Sequence, residues 1–253
     1  MMIFFYALLI LLLHASCWFL ISIIKKRNDV ADMAWGLGFI LVCLYLLFAL
    51  EFHTLSLLIY VLIAIWGIRL SLHIYMRSRN KPEDFRYKQW RAEWGNQFYL
   101  RSFLQVYMLQ ASIAFVMLSP VIWQATQVHD QLSLVTIIGA CIMLFGIVYE
   151  ATADYQLLQF ARRKKSSGEI IQSGLWKYSR HPNYFGEILV WWGLYIMILP
   201  LHWAWIFCYS PLLITLLLLK VSGVPKMESK YADNAQYQAY KARTPIIIPK
   251  LSK

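Results

Sequence analysis

The chain of 253 residues has few charged side chains. Only 15% of the residues are charged and 13 are acidic, whereas 60% are hydrophobic. A soluble domain is rarely more than about half apolar. The composition therefore argues against a soluble globular protein and favours a chain that is surrounded by lipid.

Cysteine and histidine are sparse and form no recognisable ligand pattern. Each of the 4 cysteines lies alone in a different apolar run, at Cys17, Cys43, Cys141 and Cys208. The 6 histidines are also scattered. We therefore expect the cysteines to be small core residues and expect no protein-bound metal. The chain also lacks both G-x-G-x-x-G and G-x-x-x-x-G-K-[ST], which excludes the common phosphate loops of soluble nucleotide-binding proteins.

Long apolar runs dominate instead. A membrane span needs about 20 largely apolar residues, and such runs predict seven spans, at 2–24, 34–50, 54–76, 102–124, 132–158, 184–199 and 201–220. The last two leave open a re-entrant pair, and the first is too long for a signal peptide. We expect an all-α polytopic helical bundle of about seven transmembrane helices, in a single domain 1–253. Its parts are N-terminal spans 1–76, an interfacial loop 77–101 and a cofactor-binding half 102–253.

Basic residues are confined to alternate connections between these spans. With the N-terminus outside, the inner segments are 25–33, 77–101, 159–183 and the tail from 220, and they hold 23 of the 24 Lys and Arg residues. Positive charge marks the cytoplasmic side of a membrane protein. The net charge of +11 thus indicates topology, with the C-terminus in the cytoplasm, and not a nucleic-acid partner.

A few charges lie within or beside the spans, where they mark functional sites by default. Glu150 and Asp154 are one helical turn apart and therefore share a face. Glu187 lies one turn after Asn183. Asp29 and Asp32 also share a face, but Lys25, Lys26 and Arg27 nearby leave open a structural role in salt bridges.

The most polar boundary is "SGLWKYSRHPNYFGEILVWWG", at 173–193. Arg180 and His181 precede Pro182, which suits the first turn of a helix whose N-terminus favours anions. Together with "RRKK" at 162–165, this helix start would suit phosphate. The segment therefore predicts a site for a nucleotide-like cofactor at the inner face. We also expect a helix after Pro82, a turn at 166–168, and one helix from Pro225 that carries Tyr231, Tyr237 and Tyr240 as a lid or surface helix.

"GLWKYSRHPNYFGE" resembles the C-terminal signature of the membrane steroid 5-alpha-reductases and sterol reductases. "WGIRLSLHI", "EDFRY", "EATADYQ" and "SGVPKMESKY" together with "YKARTPIIIP" are most similar to an uncharacterised bacterial branch, domain of unknown function 1295. The resemblance extends over about 28–249 and implies a multi-pass protein of the bacterial inner membrane. It also implies an NADPH site on the cytosolic side and reduction of an activated C=C bond of a steroid- or isoprenoid-like lipid.

The same resemblance assigns roles to individual residues. It implies that Tyr75 donates a proton and that Glu187 acts in catalysis by positioning the nicotinamide. The cofactor contacts that it implies are Asn183, Glu187, Asp154, Tyr178, Arg180, His181, Tyr184, Tyr231 and Arg243. It implies no obligate protein partner. The Gln-Glu pair with which steroid reductases polarise a 3-keto group has no counterpart here, which argues against a 3-oxo-Δ4-steroid substrate.

Two other functions remain open. Isoprenylcysteine carboxyl methyltransferases, which use S-adenosylmethionine, also carry an Arg-His-Pro-x-Tyr-x-Gly block and a tail glutamate like that in "KMESKY". The Asn183 and Glu187 pair and "EATADYQ" favour the reductases. A transporter or lipid-binding protein would place its in-span charges at the midplane, whereas these cluster towards one face.

Overall fold

The computed structural model describes residues 1–51, 53–128, 131–163, 166 and 168–250. These residues contain helices and no strands, so the all-α prediction is confirmed. The α-helices are α1 Met2–Lys25, α2 Val30–Ala49, α3 Thr54–Ser78, α4 Phe85–Trp94, α5 Phe98–Ser102, α6 Leu109–Gln124, α7 Leu134–Arg163, α8 Pro182–Ile198, α9 Tyr209–Leu216, α10 Val224–Ser229 and α11 Ala235–Arg243. π-helical turns at Phe103–Met108 and Leu217–Val221 follow α5 and α9.

Six helical segments of the described chain are long and apolar enough to cross a membrane. They are Met2–Lys25, Val30–Ala49, Thr54–Ser78, Phe85–Gln124, Leu134–Arg163 and Ala204–Ser229. The protein is therefore a multi-pass membrane protein. Helix α8 coincides with the span predicted at 184–199 but has only 17 residues, so the count of seven stays a prediction.

The chain divides into two compact units, Met1–Leu132 and Ser133–Lys253, called here the N-terminal and C-terminal units. In the N-terminal unit α1, α2, α3 and α6 pack together, and Phe39 and Trp66 lie fully buried edge to face between α2 and α3. A methyl group built on Gly36 would lie 2.6 Å from the carbonyl oxygen of Gly67. The two helices therefore cross at backbone contact.

The polar end of the N-terminal unit joins the α1–α2 turn to the α3–α4 turn. Arg27 holds Asp29 through two hydrogen bonds of 2.7 Å, and the Asp84 backbone N–H also donates to Asp29. Asp29 thus has the local salt bridge that the sequence left open. Asp32 pairs instead with Arg86, at 2.6 Å, and accepts from the Tyr87 hydroxyl.

In the C-terminal unit, α7 and α8 pack along a row of small residues. Gly139 and Gly146 on α7 face Gly193 and Gly186 on α8, and a methyl group on any of them would lie less than 3.0 Å from the other helix's backbone. The two helices are therefore in backbone contact along this whole row, including the start of α8, where α7 carries its acidic residues. This contact positions the site.

The tail of the C-terminal unit differs from the single helix that was predicted. Helix α10 ends at Ser229, and α11 begins only at Ala235. The Asn234 side chain accepts a hydrogen bond from the Tyr237 backbone N–H at 3.0 Å, so it caps a new helix. Tyr231 lies in the break between the helices, which makes the prediction of one continuous helix wrong at this point.

Candidate functional site

The start of α8 lies against the acidic residues of α7. A methyl group on Gly186 would lie 2.7 Å from the Glu150 backbone nitrogen, so α8 can approach only because this residue is glycine. Glu150 and Asp154 are both buried. Asn183, in the first turn of α8, donates from Nδ2 to Asp154 Oδ1 at 3.3 Å. The close helix contact thus brings together one pair of the predicted site residues.

The orientation of the Asn183 amide follows from this hydrogen bond. Nδ2 is the donor that faces Asp154, so Oδ1 points away from this carboxylate. Oδ1 is buried and has no hydrogen-bond donor among the described residues. A buried carbonyl oxygen without a donor is costly, and a ligand amide that reached it would gain a hydrogen bond.

The segment before α8 is fixed by hydrogen bonds to α7. Gly174 has a φ of 62°, in the left-handed region, and its Cα lies against the Gln156 side chain. Gln156 Oε1 accepts from the Leu175 backbone N–H at 2.9 Å. The Trp176 indole donates to the Ala153 carbonyl at 3.1 Å, one residue before Asp154. The segment therefore cannot shift without disturbing the Asp154 turn.

Arg180 is an internal residue of the C-terminal unit. Its side chain is only 6% exposed, and Nε donates to Glu228 Oε1 at 2.8 Å. Nη1 donates to the carbonyls of Thr244, at 2.7 Å, and Lys241, at 3.1 Å. The guanidinium thus holds α10 and the end of α11 onto the segment before α8, a role that its position in the sequence did not predict.

His181 is buried beside the same carboxylate. Its Nε2 lies 3.4 Å from Glu228 Oε1, and its ring stacks on Tyr184 at 5.2 Å between centroids. The pKa of His181 is lowered to about 4, mainly by burial and also by the Arg180 charge, while the hydrogen bond and charge of Glu228 oppose the shift. Lys241 also neutralises Glu228, at 2.8 Å. His181 is therefore neutral at physiological pH.

The last residues of the described chain pair with the backbone of the motif. The N–H groups of Arg180 and His181 donate to the carbonyls of Pro245, at 2.9 Å, and Ile246, at 3.1 Å. The Tyr240 hydroxyl donates to the carbonyls of Trp176 and Ser179. Burial raises the pKa of Tyr240, so this phenol stays a donor. The tail is therefore held against the segment before α8.

The family profile described as "Protein of unknown function (DUF1295)" matches residues 18–244. The chain belongs to this family. The match includes the α7 carboxylates, the motif before α8 and most of the tail. A search of curated proteins and one of solved structures found no match.

The remaining predicted site residues of this DUF1295 protein lie in several places. Glu187 is half-buried on α8, one turn after Asn183. Tyr178 is half-buried, and its backbone carbonyl accepts a hydrogen bond from the Lys250 backbone N–H at 3.1 Å. Tyr231 stacks on Tyr237 at 5.3 Å between centroids.

Two more predicted residues are exposed. Arg243 is exposed and donates to Gln172. Tyr75 belongs to α3 in the N-terminal unit, is 50% exposed, and has the Arg79 guanidinium 5.9 Å from its ring centroid. Its role as proton donor stays a prediction.

Sequence reasoning missed Glu228 and Tyr240 as organising residues of this DUF1295 protein. Both lie far along the chain from their partners, since Glu228 is 48 residues from Arg180 and Tyr240 is 64 residues from Trp176. Spacing along a helix gives no signal for such pairs. Parts of four predictions lie outside the described residues, namely Lys164 and Lys165 of "RRKK", Ser167 of the predicted turn, Phe52, His129 and Asp130 of the outer connections between spans, and 251–253 of the predicted cytoplasmic tail.

Proposed function

We propose that this DUF1295 protein is an NADPH-dependent membrane reductase of the steroid 5-alpha-reductase and sterol reductase superfamily. Its substrate would be a lipid-soluble, isoprenoid- or steroid-like molecule with an activated C=C bond. When bound, the cofactor supplies a hydride. The chain's own residues would bind and orient the cofactor, exclude water and hold a proton for the substrate.

The observation that carries this proposal is the Asn183–Asp154 pair. Asp154 fixes the amide so that Asn183 Oδ1 is an acceptor, and this oxygen is buried without a donor from the described chain. A nicotinamide carboxamide has an N–H₂ group of the required polarity. Glu187, one turn along α8, offers a second acceptor for the same amide. Two acceptors at the start of one helix suit a primary amide better than a phosphate.

The cofactor phosphates need other partners, because the Nε and Nη1 groups of Arg180 already donate hydrogen bonds to Glu228 and to two backbone carbonyls of the tail. Arg162 and Arg163, exposed at the end of α7, are the described cations that we assign to this role. We assign to Arg180 and His181 a structural role, which is to hold the tail against the segment before α8. Tyr178 and Tyr184 offer aromatic surface beside it.

The proposed proton donor is Tyr75. Hydride addition to an enone builds negative charge on oxygen, and a phenolic O–H in a site shielded from water stabilises that charge and delivers a proton. Tyr75 lies near the end of α3 that carries the basic residues, the side that we place in the cytoplasm with the tail. The membrane would be the bacterial inner membrane, with the N-terminus outside.

A thermal-shift measurement in detergent tests the cofactor. A ligand that binds only the folded protein at 100 times its Kd stabilises it by about 2.7 kcal/mol. We expect NADPH to raise the Tm and S-adenosylmethionine to leave it unchanged. Asn183→Ala should reduce the NADPH shift, whereas Asn96→Ala, a matched change at an exposed position of the N-terminal unit, should not. Stabilisation by S-adenosylmethionine alone would contradict the proposal.

One observation favours the second candidate, an S-adenosylmethionine-dependent methyltransferase of the isoprenylcysteine carboxyl methyltransferase type. Glu228 contacts both Arg180 and His181, so the Arg-His-Pro block and the tail glutamate, which that family also carries, meet in this structure. The resemblance to these methyltransferases does not include Asn183 or Asp154. The same thermal-shift series separates the two candidates.

A further inference from the structure

The polar turns of the N-terminal unit use nearly all of their acidic side chains internally. The pairs are Arg27–Asp29 at 2.7 Å, Arg86–Asp32 at 2.6 Å, Arg86–Asp84 at 2.9 Å and Arg91–Glu83 at 3.0 Å. In each pair both side chains are less than 35% exposed. These acids are therefore not available to neutralise the outer surface of the turns.

Six cations remain exposed on the same turns, and within the described chain none of them has an acidic partner. They are Lys25, Lys26, Arg79, Lys81, Lys88 and Arg101. Arg79 lies over the Tyr75 ring, and Arg101 donates to the Gln97 amide, so both of these contacts are with neutral groups. The exposed acid of these turns is Glu93, which accepts from Gln89. The surface therefore carries six positive charges against one negative charge.

Four of these cations, Lys25, Lys26, Arg79 and Lys81, lie where apolar helices end. Helix α1 ends at Lys25 and α3 ends at Ser78, and both are long enough to cross a membrane. Arg27 donates to the carbonyls of Ser78 and Lys81, which holds the two turns at the same end of the unit. The ends of spans lie at the depth of lipid headgroups.

Two aromatic residues at the same end support this depth. The Trp90 and Trp94 rings on α4 stack at 5.3 Å with an interplanar angle of 8°, and both are half-buried. Tryptophan concentrates at the boundary between lipid and water because its ring is apolar and its N–H is polar. Helix α4 thus has the composition of a segment that lies at the membrane surface.

We propose that this surface, formed by the α1–α2 turn and the segment from Arg79 to Arg101, binds phospholipids whose headgroups carry net negative charge. An exposed lysine holds a single soluble phosphate only weakly, because water screens the contact. A membrane surface presents many phosphates at once, and each nearby basic residue strengthens attraction to it about fivefold. Six exposed cations at headgroup depth therefore favour anionic lipid over a soluble anion. Zwitterionic lipids carry a positively charged ammonium group of their own, which competes for the same phosphate.

Native mass spectrometry of the full-length protein in detergent tests this proposal. The protein is incubated with equal amounts of phosphatidylglycerol and phosphatidylcholine that have the same acyl chains, and the retained lipids are counted. We expect the wild type to retain phosphatidylglycerol preferentially. In a variant with Lys25, Lys26, Lys81 and Lys88 changed to Gln, the ratio should fall towards one, because four of the six cations are lost.

Two matched variants make the result specific. Changing the same four lysines to Arg keeps the charge and should keep the preference. Changing four exposed basic residues of the C-terminal unit to Gln, at Lys177, Lys220, Lys230 and Lys250, should also keep most of it. If the quadruple Gln variant does not purify as a monodisperse protein, the pair Lys81→Gln and Lys88→Gln should give part of the same loss.

Three outcomes would overturn the proposal. The first is an unchanged ratio in the folded Gln variants. The second is an equal loss in the C-terminal control, which would assign the preference to overall charge. The third is thermal stabilisation by glycerol 3-phosphate as large as that by phosphatidylglycerol, which would indicate a soluble phosphorylated ligand.

Discussion

Arg180 Nε and Glu228 Oε1 lie 2.8 Å apart, and their side chains are only 6% and 11% exposed. Removing one partner of such a buried pair leaves a charge without compensation, which costs about 3–5 kcal/mol. We expect Glu228→Gln and Arg180→Met each to lower the free energy of unfolding by about this amount. Lys241→Gln should cost less, because Lys241 is 46% exposed.

Limited proteolysis of these variants in detergent gives a second measurement. Because Arg180 also holds the Lys241 and Thr244 carbonyls, its loss should release the tail after α11. Cleavage near 244–250 should therefore become faster in the Arg180 variant than in Lys241→Gln. Equal cleavage rates in the two variants would mean that the tail is held without Arg180.

The contact between α7 and α8 predicts a strong effect of a single methyl group. In Gly186→Ala the new carbon would meet the Glu150 backbone nitrogen at 2.7 Å and the Gly146 carbonyl oxygen at 2.8 Å. Overpacking costs about 1–3 kcal/mol, and here the obstacle is backbone. We expect a lower Tm and a smaller NADPH shift, since Asn183 moves away from Asp154. Gly168→Ala is the control, because its methyl group would find its nearest neighbour at 3.6 Å.

The buried His181 predicts a pH dependence of stability. Its pKa is about 4 in the folded protein, below the ordinary value of about 6.5, so the unfolded chain binds more protons between these two values. Stability must then fall as the pH drops from about 6.5 to 4 and change little through this residue below that. The loss is at most on the order of 3 kcal/mol.

Chemical denaturation at several pH values measures this slope. His181→Gln should flatten it, while His202→Gln, at an exposed position, should leave it unchanged. A slope that is the same in the wild type and in His181→Gln would show that other groups cause the acid sensitivity.

Tyr75 and Glu187 should have separable effects if the proposed function holds. Tyr75→Phe should leave NADPH binding nearly unchanged and reduce turnover of a lipid enone by roughly 10²–10⁴, the usual range for a general acid. Glu187→Ala should weaken NADPH binding itself. Tyr99→Phe is a matched control, since Tyr99 is 51% exposed and Tyr75 is 50% exposed. Full turnover by Tyr75→Phe would return Tyr75 to the role of an interfacial anchor.

The orientation of the chain can be measured with single cysteines in a cysteine-free background. Asn96 follows α4, and Val128 lies after α6 and is 84% exposed. In intact cells a membrane-impermeant maleimide should label Val128→Cys and not Asn96→Cys. Asn96 is a better probe than Gly95, whose φ of 47° disfavours a side chain. The reverse pattern would place the N-terminus inside.

The fold could be predicted largely because lipid imposes a simple rule on composition. The run predicted at 2–24 is helix Met2–Lys25, and the run at 54–76 is helix Thr54–Ser78. The helix expected after Pro82 begins at Phe85. The tail was harder to predict, because it is not an apolar run and the break at 230–234 depends on one side-chain cap by Asn234.

The candidate site could be predicted only in part. Asp154 and Asn183 were identified as site residues separately, but their contact depends on how closely two helices approach, which the glycines control. The partner of Asp32 was missed for a similar reason, since Arg86 is 54 residues away and Arg27 is local. Periodicity reports which residues share a face. It does not predict which face of one helix packs against another helix.

The partners of Arg180 lie 48, 61 and 64 residues further along the chain, at Glu228, Lys241 and Thr244. During synthesis α8 is therefore complete before any of the groups that contact this guanidinium has been translated. The C-terminal unit can be completed only after nearly the whole chain has been translated. A chain that ends before Glu228 would still contain α1 to α9 but would leave this guanidinium without its carboxylate partner, and surveillance proteases would recognise it by its unattached C-terminal segment.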